Sequence, residues 1–335
     1  MCIRDSYNAK EMKKKGKRIY GIREDVEKIA KQAYDSGISN IFFTASGGSV
    51  AVMQPFEYVL MTESSIPVYS MTAAELVLMG HKQLNEKSLV ILYSKSGDTK
   101  ETIKAAEYLK ERNVPTVGIV SKEDTPLEAL STYAINYLDG RPQEMPLYFL
   151  IMSIMNLNGE FPEYTRFADE LKNLPTALNS VREQADEKGK KYAEEFKEDP
   201  YQIWIGSGNL WGITYSYSMC VLEESQWLRT KSVSSPEFFH GTLELVEKGV
   251  CVTLLKTEGE TRLLDARVEK FAVQYTDKFN VFDTKDYELP GISDEFRKYF
   301  CAPVMWAALG RVSVHLEDIR NHSLDKRRYY RVVEY

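Results

Sequence analysis

The sequence has few cysteines and lacks the short motifs that mark common nucleotide and hydrolase sites. Its four cysteines form no C-x-x-C pair and are Cys2, Cys220, Cys251 and Cys301. This favours reduced thiols in a cytoplasm over a disulfide framework or a zinc site. There is no Walker G-x-x-x-x-G-K-[ST], no G-x-S-x-G and no H-E-x-x-H, and GSGNLWG at 206–212 misses the dinucleotide fingerprint by one residue. Nucleotide-binding, serine-hydrolase and zinc-peptidase functions therefore lack their central residues.

Long hydrophobic runs are also absent. The most apolar segment, MPLYFLIMSIM at 145–155, is too short to span a bilayer and predicts a buried helix. The start of the chain is too polar for a secretory signal, and its first six residues, MCIRDS, fit no pattern. A net charge of -6 gives no support for a nucleic-acid or anionic-membrane partner. We expect a soluble, cytoplasmic protein with neither partner.

What the sequence does contain is an alternation of strand-like and helical segments. The predicted strands of the first half are NIFFTA, IPVYS, SLVILYS, PTVGIVS and YAINYL. Helical stretches such as TKETIKAAEYLKERN separate them, which predicts an α/β fold with a mostly parallel sheet covered by helices on both faces.

The same plan starts again in the second half, after a charged helical stretch. YQIWIGSG is a strand that runs into glycine and serine, and later strands are predicted at VCVTLL and NVFD. We therefore expect a first domain at 18–164, a helical connector at 165–199, and a second domain with a helical C-terminal tail at 200–335. The two halves share a layout rather than a tight sequence repeat.

Polar side chains cluster where the predicted strand SLVIL ends, in YSKSGDTKET. The start of a helix offers unsatisfied N–H groups and a positive dipole, and hydroxyls add further donors for an anion. Gly97 permits a tight turn, and Asp98 with Glu101 has capping-box spacing, so helix entry explains part of the stretch. It does not explain Ser94, Lys95 and Ser96, which favour a phosphate site.

A second loop, TASGGSV at 44–50, follows the first predicted strand in the same way. Gly47 and Gly48 would let the backbone approach a ligand, and Ser49 would cap the next helix. Alone this loop is a weak signal. Because both loops belong to the carboxyl edge of one parallel sheet, where open α/β folds bind ligands, the pair is a stronger one.

Candidates for acid–base chemistry lie in the stretch from Val221 to Gly249. His240 is one of only four histidines in the chain. Nearby carboxylates could form an acid–base pair with it, and spacing alone cannot choose among them: they are Glu223, Glu224, Glu237 and Glu244.

YSKSGDTKET resembles the phosphate-binding signature of the sugar isomerase (SIS) domain, and the two-lobed layout resembles tandem SIS proteins. EFFHGTLELVE, ETIKAAE and RRYYRVVEY are similar to deglycases that act on 6-phosphorylated Amadori compounds. This resemblance implies two SIS-type αβα sandwich domains and assigns Glu224 and His240 as catalytic. The phosphate-binding residues that it implies are Gly48, Ser49, Ser94, Lys95, Ser96 and Thr99.

The resemblance also implies a homodimer or higher homo-oligomer with active sites near the subunit interface, a sugar-phosphate substrate, and no metal or cofactor. Three departures stand out: Thr242 replaces a usual proline, Lys95 a neutral polar residue, and ASGGS a cysteine-containing loop. The expected product is glucose 6-phosphate with a free amino acid. A phosphosugar isomerase, an amino-sugar-phosphate deaminase and a non-catalytic phosphosugar sensor are the alternatives.

Overall fold

The computed structural model describes residues 9–334, which form two compact α/β units. One unit covers residues 10–175 and the other begins at residue 176. The opening hexapeptide MCIRDS, and Cys2 within it, lie outside the described residues. The predicted fold class is confirmed, since each unit is built on one parallel sheet and the chain has a helix near its C-terminus. The finer boundaries at 18–164, 165–199 and 200–335 remain predictions.

The first unit contains a five-stranded parallel sheet in the order β2-β1-β3-β4-β5. Its strands are β1 (Asn40–Ala45), β2 (Val68–Thr72), β3 (Ser88–Tyr93), β4 (Thr116–Val120) and β5 (Tyr133–Asn136). Every residue of β1 and β3 is buried, which explains why both are nearly continuous apolar runs in the sequence. All five coincide with predicted strands to within a few residues.

Eight helices accompany this sheet among the described residues. They are α1 (Ala9–Tyr20), α2 (Arg23–Asp35), α3 (Gly48–Glu63), α4 (Ala73–Met79), α5 (Lys100–Lys110), α6 (Pro126–Leu130), α7 (Met145–Leu157) and α8 (Tyr164–Glu170). The predicted apolar helix is confirmed as α7, which is buried from Met145 through Met155. A 3-10 turn at Leu171–Asn173 follows α8.

The second unit contains a four-stranded parallel sheet in the order β7-β6-β8-β9. Its strands are β6 (Gln202–Ile205), β7 (Thr230–Val233), β8 (Cys251–Lys256) and β9 (Phe279–Asp283). The order repeats that of the first four strands of the first unit, which confirms the shared layout. Strand β7 was not among the predicted strands.

The helices of the second half are α9 (Leu174–Phe196), α10 (Trp211–Ser216), a π-helical turn (Tyr217–Glu223), α11 (Glu224–Gln226), α12 (Ser235–Phe238), α13 (Arg262–Tyr275) and α14 (Cys301–Ile319). The 3-10 turns are Gly208–Leu210, Thr242–Leu245, Thr284–Asp286 and Asp294–Phe300. Alternate residues of β6 face two cores: Trp204 packs with Tyr217 and Met305, while Ile203 and Ile205 face the opposite layer.

The described helices include none with the length and apolar character needed to cross a membrane. Cys220, Cys251 and Cys301 are free thiols, as expected. In the described part of the chain, no group of three potential metal ligands converges.

Candidate active site

The strand order of the first unit creates a crevice between β1 and β3. The chain passes from β1 to β2 on one side and then returns to place β3 on the other side of β1. β1 and β3 are parallel neighbours, with Thr44 opposite Leu92 near their carboxyl ends. The loops that leave these two ends therefore diverge to opposite faces, which is where open α/β sheets bind ligands.

The loop after β1 brings the start of α3 to this crevice. Gly47 has φ +55°, a left-handed conformation that suits glycine, and a Cβ there would meet no neighbouring atom. Gly48 and Ser49 are the first two residues of α3, where backbone N–H groups lack partners within the helix. The prediction that Ser49 caps this helix is wrong, because Gly47 is the N-cap residue and no side chain caps it.

The loop after β3 folds back on itself through the hydroxyl of Ser94. This hydroxyl is buried, accepts a hydrogen bond from the Gly97 N–H at 3.1 Å and lies 3.0 Å from the Thr99 hydroxyl. The Ser96 hydroxyl donates to Asp98. The predicted capping box is wrong, because the N-cap residue of α5 is Thr99 and no side chain caps that helix.

Position 97 requires glycine for two separate reasons. Its φ is +71°, and a Cβ would collide with the side chain of Thr125. The Gly97 carbonyl also accepts a hydrogen bond from the Leu127 N–H at 3.1 Å, which ties the loop to the start of α6. The backbone of this loop is therefore held in one shape.

Positive charge surrounds Lys95. The Lys95 side chain is exposed, and its pKa is lowered by partial loss of water and then by the nearby Arg141, with smaller effects of the same sign from Lys15 and Lys122. Asp139 opposes them and accepts a hydrogen bond from Lys15 at 2.8 Å. The excess of cations favours an anionic ligand at this edge.

The corresponding crevice of the second sheet, between β6 and β8, is occupied by a side chain of the protein. The carboxylate of Asp265, on α13, accepts hydrogen bonds from Ser207 at 2.9 Å, from Ser235 at 2.6 Å and from the Thr257 N–H at 3.2 Å. Asp265 is fully buried, and this burial raises its pKa despite the three hydrogen bonds. The hydroxyl and N–H groups that could donate to a phosphate in this crevice already donate to Asp265.

Glu224 lies where the π-helical turn passes into α11. π-Helical turns occur often at functional sites. Trp227 follows with φ +56° and ends the helix. The guanidinium of Arg327 contacts Glu224 Oε1 through Nε at 2.8 Å and through its second terminal nitrogen at 2.7 Å. Glu224 keeps 26% of its side-chain exposure.

His240 is exposed and follows α12, with its backbone N–H donating to the Glu237 carbonyl at 3.0 Å. Glu224 precedes β7 and His240 comes after it, so the two residues lie toward opposite ends of this strand. Within residues 9–334 no hydrogen bond or ion pair joins them. Of the other carboxylates in this stretch, Glu223 accepts a hydrogen bond from Thr230 at 2.6 Å.

Sequence comparison relates this chain to one domain family and to proteins named as deglycases. The SIS domain matches residues 36–157. Fructosamine deglycase FrlB of Bacillus subtilis (strain 168) is 30% identical over 322 residues, which cover 94% of this chain and 98% of that protein. Fructoselysine 6-phosphate deglycase of Escherichia coli (strain K12) is 26% identical and covers 92% of this chain and 91% of its own length.

Solved structures extend the similarity along nearly the whole chain. A Salmonella typhimurium LT2 protein assigned as a phosphosugar isomerase has a TM-score of 0.89 at 30% identity and covers 93% of this chain and 97% of that chain. A Bacillus subtilis structure with the same assignment has a TM-score of 0.86 at 29% identity and covers 97% and 100%. The likeness therefore includes the second sheet as well as the matched domain.

Proposed function

Because this chain belongs to the SIS domain family, we propose that it is a deglycase of 6-phosphorylated Amadori products. It is an enzyme, and its substrate in this proposal is an open-chain 1-amino-1-deoxy-ketose 6-phosphate such as fructoselysine 6-phosphate. One water is consumed, the C1–N bond is cleaved, and the products are glucose 6-phosphate and a free amino acid. The net reaction is a hydrolysis.

The observation that carries the proposal is the rigid, hydroxyl-lined loop after β3, next to the start of α3. The hydroxyls of Ser94, Ser96 and Thr99 surround a turn that Gly97 permits. Together with Lys95, the Gly48 N–H and the Ser49 hydroxyl at the start of α3, they can bind the ester at C6. Phosphate binding at one end of the sugar fixes the position of the reacting carbons at the other, which lowers the entropic part of the barrier.

Glu224 acts as the base in the proposed mechanism. It removes a proton from C1, so that an enaminol forms with a C1–C2 double bond. Protonation at C2 then gives an imine at C1, and water adds to this imine to release the amino acid. His240 is the general acid that assists ring opening or protonation.

We place His240 of one chain beside Glu224 of a second chain in a homodimer. The positions of the two residues toward opposite ends of β7 support this arrangement, as does the lack of any hydrogen bond or ion pair between them within residues 9–334. We also place the enzyme in the cytoplasm, where reduced cysteines such as the buried Cys251 and Cys301 persist.

The test is release of glucose 6-phosphate from fructoselysine 6-phosphate, followed with a coupled dehydrogenase. Glu224→Gln should abolish turnover and leave binding of the phosphosugar largely unchanged. Fructose 6-phosphate serves as a control substrate, since an isomerase would convert it to glucose 6-phosphate without an amine. Binding of the Amadori compound with no turnover by the wild-type chain would support a sensor and contradict the proposal.

A further inference from the structure

The part of the chain after α14, residues 320–328, packs against α11 and the residue that follows it. We call it the C-terminal segment. Arg320 donates to the backbone carbonyl of Gln226 at 2.5 Å, and the Gln226 side chain donates to the carbonyl of His322 at 2.8 Å. The Leu324 N–H donates to Glu317 of α14 at 3.0 Å. The segment is therefore attached to its own unit at several points.

Trp227 is the centre of a second set of contacts. The His322 ring meets it edge-on at a centroid distance of 4.3 Å. The Arg328 guanidinium lies 3.9 Å from the indole centroid, and the Lys326 ammonium lies 5.0 Å from it. Cations over an indole face are attracted by its quadrupole, so these contacts hold the segment next to Glu224.

Hydrogen bonds within the C-terminal segment fix the guanidinium of Arg327. One terminal nitrogen donates to the carbonyls of Leu324 at 2.7 Å and Lys326 at 3.0 Å. Its Nε and its other terminal nitrogen both contact Oε1 of Glu224. A planar guanidinium that is held in this way fixes both the position and the rotation of the carboxylate.

From this geometry we infer that Arg327 is a positioning residue for Glu224, an inference that rests on the proposed function. In the part of the chain that the structure describes, every hydrogen bond to the Glu224 carboxylate falls on Oε1. Oε2 is then the oxygen that accepts the proton from C1 of the substrate. No other residue of the segment forms a hydrogen bond or ion pair with this carboxylate.

The alternative is that the ion pair restrains Glu224 and must break before reaction. Two observations favour positioning. Only one carboxylate oxygen is engaged, and Glu224 remains about a quarter exposed, at 26%. A blocking contact would be expected to engage both oxygens and bury the group. Arg327→Ala separates the two roles, because loss of a positioning contact lowers turnover and loss of a restraint raises it.

The test measures kcat and KM with fructoselysine 6-phosphate for the full-length wild type and for variants at positions 327 and 328. We expect Arg327→Ala to lower kcat by about 10- to 100-fold with little change in KM, because the loss is one of orientation. Arg327→Lys should recover part of kcat, since lysine keeps the positive charge but lacks the two guanidinium nitrogens that contact Glu224. Arg328→Lys is the matched control for Arg327→Lys, because it makes the same change at a neighbouring cation that forms no ion pair with Glu224 and keeps a positive charge over Trp227, and it should retain wild-type kcat.

Added guanidinium ion gives an independent readout. It should restore part of the kcat of Arg327→Ala and none of that of Glu224→Gln, which a purely structural role of Arg327 would not predict. If Arg327→Ala does not fold, Arg327→Gln gives the same comparison. Unchanged or raised kcat in an active enzyme overturns the positioning role and leaves the deglycase function intact. A wild type that turns over no Amadori substrate overturns both.

Discussion

Glu224 and His240 lie before and after strand β7 in the chain, Glu224 in the helix that precedes the strand and His240 in the turn after α12, the helix that follows it. This arrangement has a direct test in mixed dimers. If Glu224 of one chain works with His240 of the other, a dimer of one Glu224→Gln chain and one His240→Asn chain contains one intact site. Refolding the two inactive variants together should then recover about a quarter of wild-type activity, as expected for random pairing in a two-fold dimer.

Activity in that mixture, compared with each variant refolded alone, is the measurement. If both residues of a site came from the same chain, every site in the mixed dimer would carry one substitution. The mixture would then be as inactive as its components, and our assignment of His240 to a second chain would be wrong.

Two glycines near the phosphate site should differ in their tolerance of alanine. Gly97→Ala combines a left-handed φ of +71° with a collision against Thr125, so we expect a loss of several kcal/mol in the free energy of unfolding. Gly47→Ala has a similar φ of +55° and open space around the new methyl. It should cost only about 1–2 kcal/mol.

Chemical denaturation of the two variants measures this difference. Gly47→Ala is the matched control, since it places alanine in a left-handed conformation at the same sheet edge without a collision. Equal losses would mean that the collision with Thr125 adds nothing to the loss of stability. The positive φ alone would then explain the requirement for glycine at position 97.

Docking of the C-terminal segment should weaken in mild acid because of His322. Burial lowers the pKa of its ring, and the cations Lys326, Arg320 and Arg328 lower it further. The undocked segment takes up a proton near the ordinary value of 6.5. The contribution to docking is therefore fully present above about pH 6.5 and is lost as the pH falls through the lowered native pKa.

Amide-exchange protection factors for residues 320–328, measured between about pH 7.5 and about pH 5.5, should show this loss. His322→Phe keeps an aromatic ring against Trp227 and removes the titrating group, so its protection should change much less over the same interval. An identical pH dependence in the two proteins would assign the effect to another group.

Binding of the product glucose 6-phosphate should saturate at one equivalent per chain. In the first crevice the Ser94 and Thr99 hydroxyls contact each other, so one of the two can still donate to a ligand, whereas Ser207 and Ser235 both donate to the Asp265 carboxylate in the second. Calorimetric titration measures the stoichiometry, and Ser94→Ala should weaken this one site without changing the number. Two equivalents per chain would contradict the role that we assign to Asp265.

The character of neighbouring side chains explains which parts of the fold could be predicted from the sequence. NIFFTA and SLVILY are buried on both faces, so their apolar character identified β1 and β3 as strands. The hydroxyl-rich loop between β3 and α5 could be found because its residues are adjacent in sequence. Strand β7 was missed because TKSV is short, largely polar and at the edge of its sheet.

The contacts that complete the two sites join distant parts of the chain. Asp265 is 58 residues from Ser207, and Arg327 is 103 residues from Glu224. Asp265 belongs to no motif, and although Arg327 begins RRYYRVVEY, nothing in that stretch shows that it contacts Glu224. The two failed capping predictions concern local contacts: α3 has Gly47 as its N-cap residue, and at α5 the N-cap residue Thr99 directs its hydroxyl to Ser94.

The buried carboxylate of Asp265 shows how two units with the same sheet topology can differ in their capacity to bind a ligand. Two sheets of the same topology would ordinarily suggest a bivalent chain. Here the carboxyl group of one aspartate on α13 accepts, from within the fold, the kind of hydrogen bonds that our proposal assigns to a bound phosphate in the first unit. In our proposal one side chain thus sets the number of sugar phosphates that the chain binds, and the second unit contributes the acid–base groups Glu224 and His240 instead of a second phosphate site.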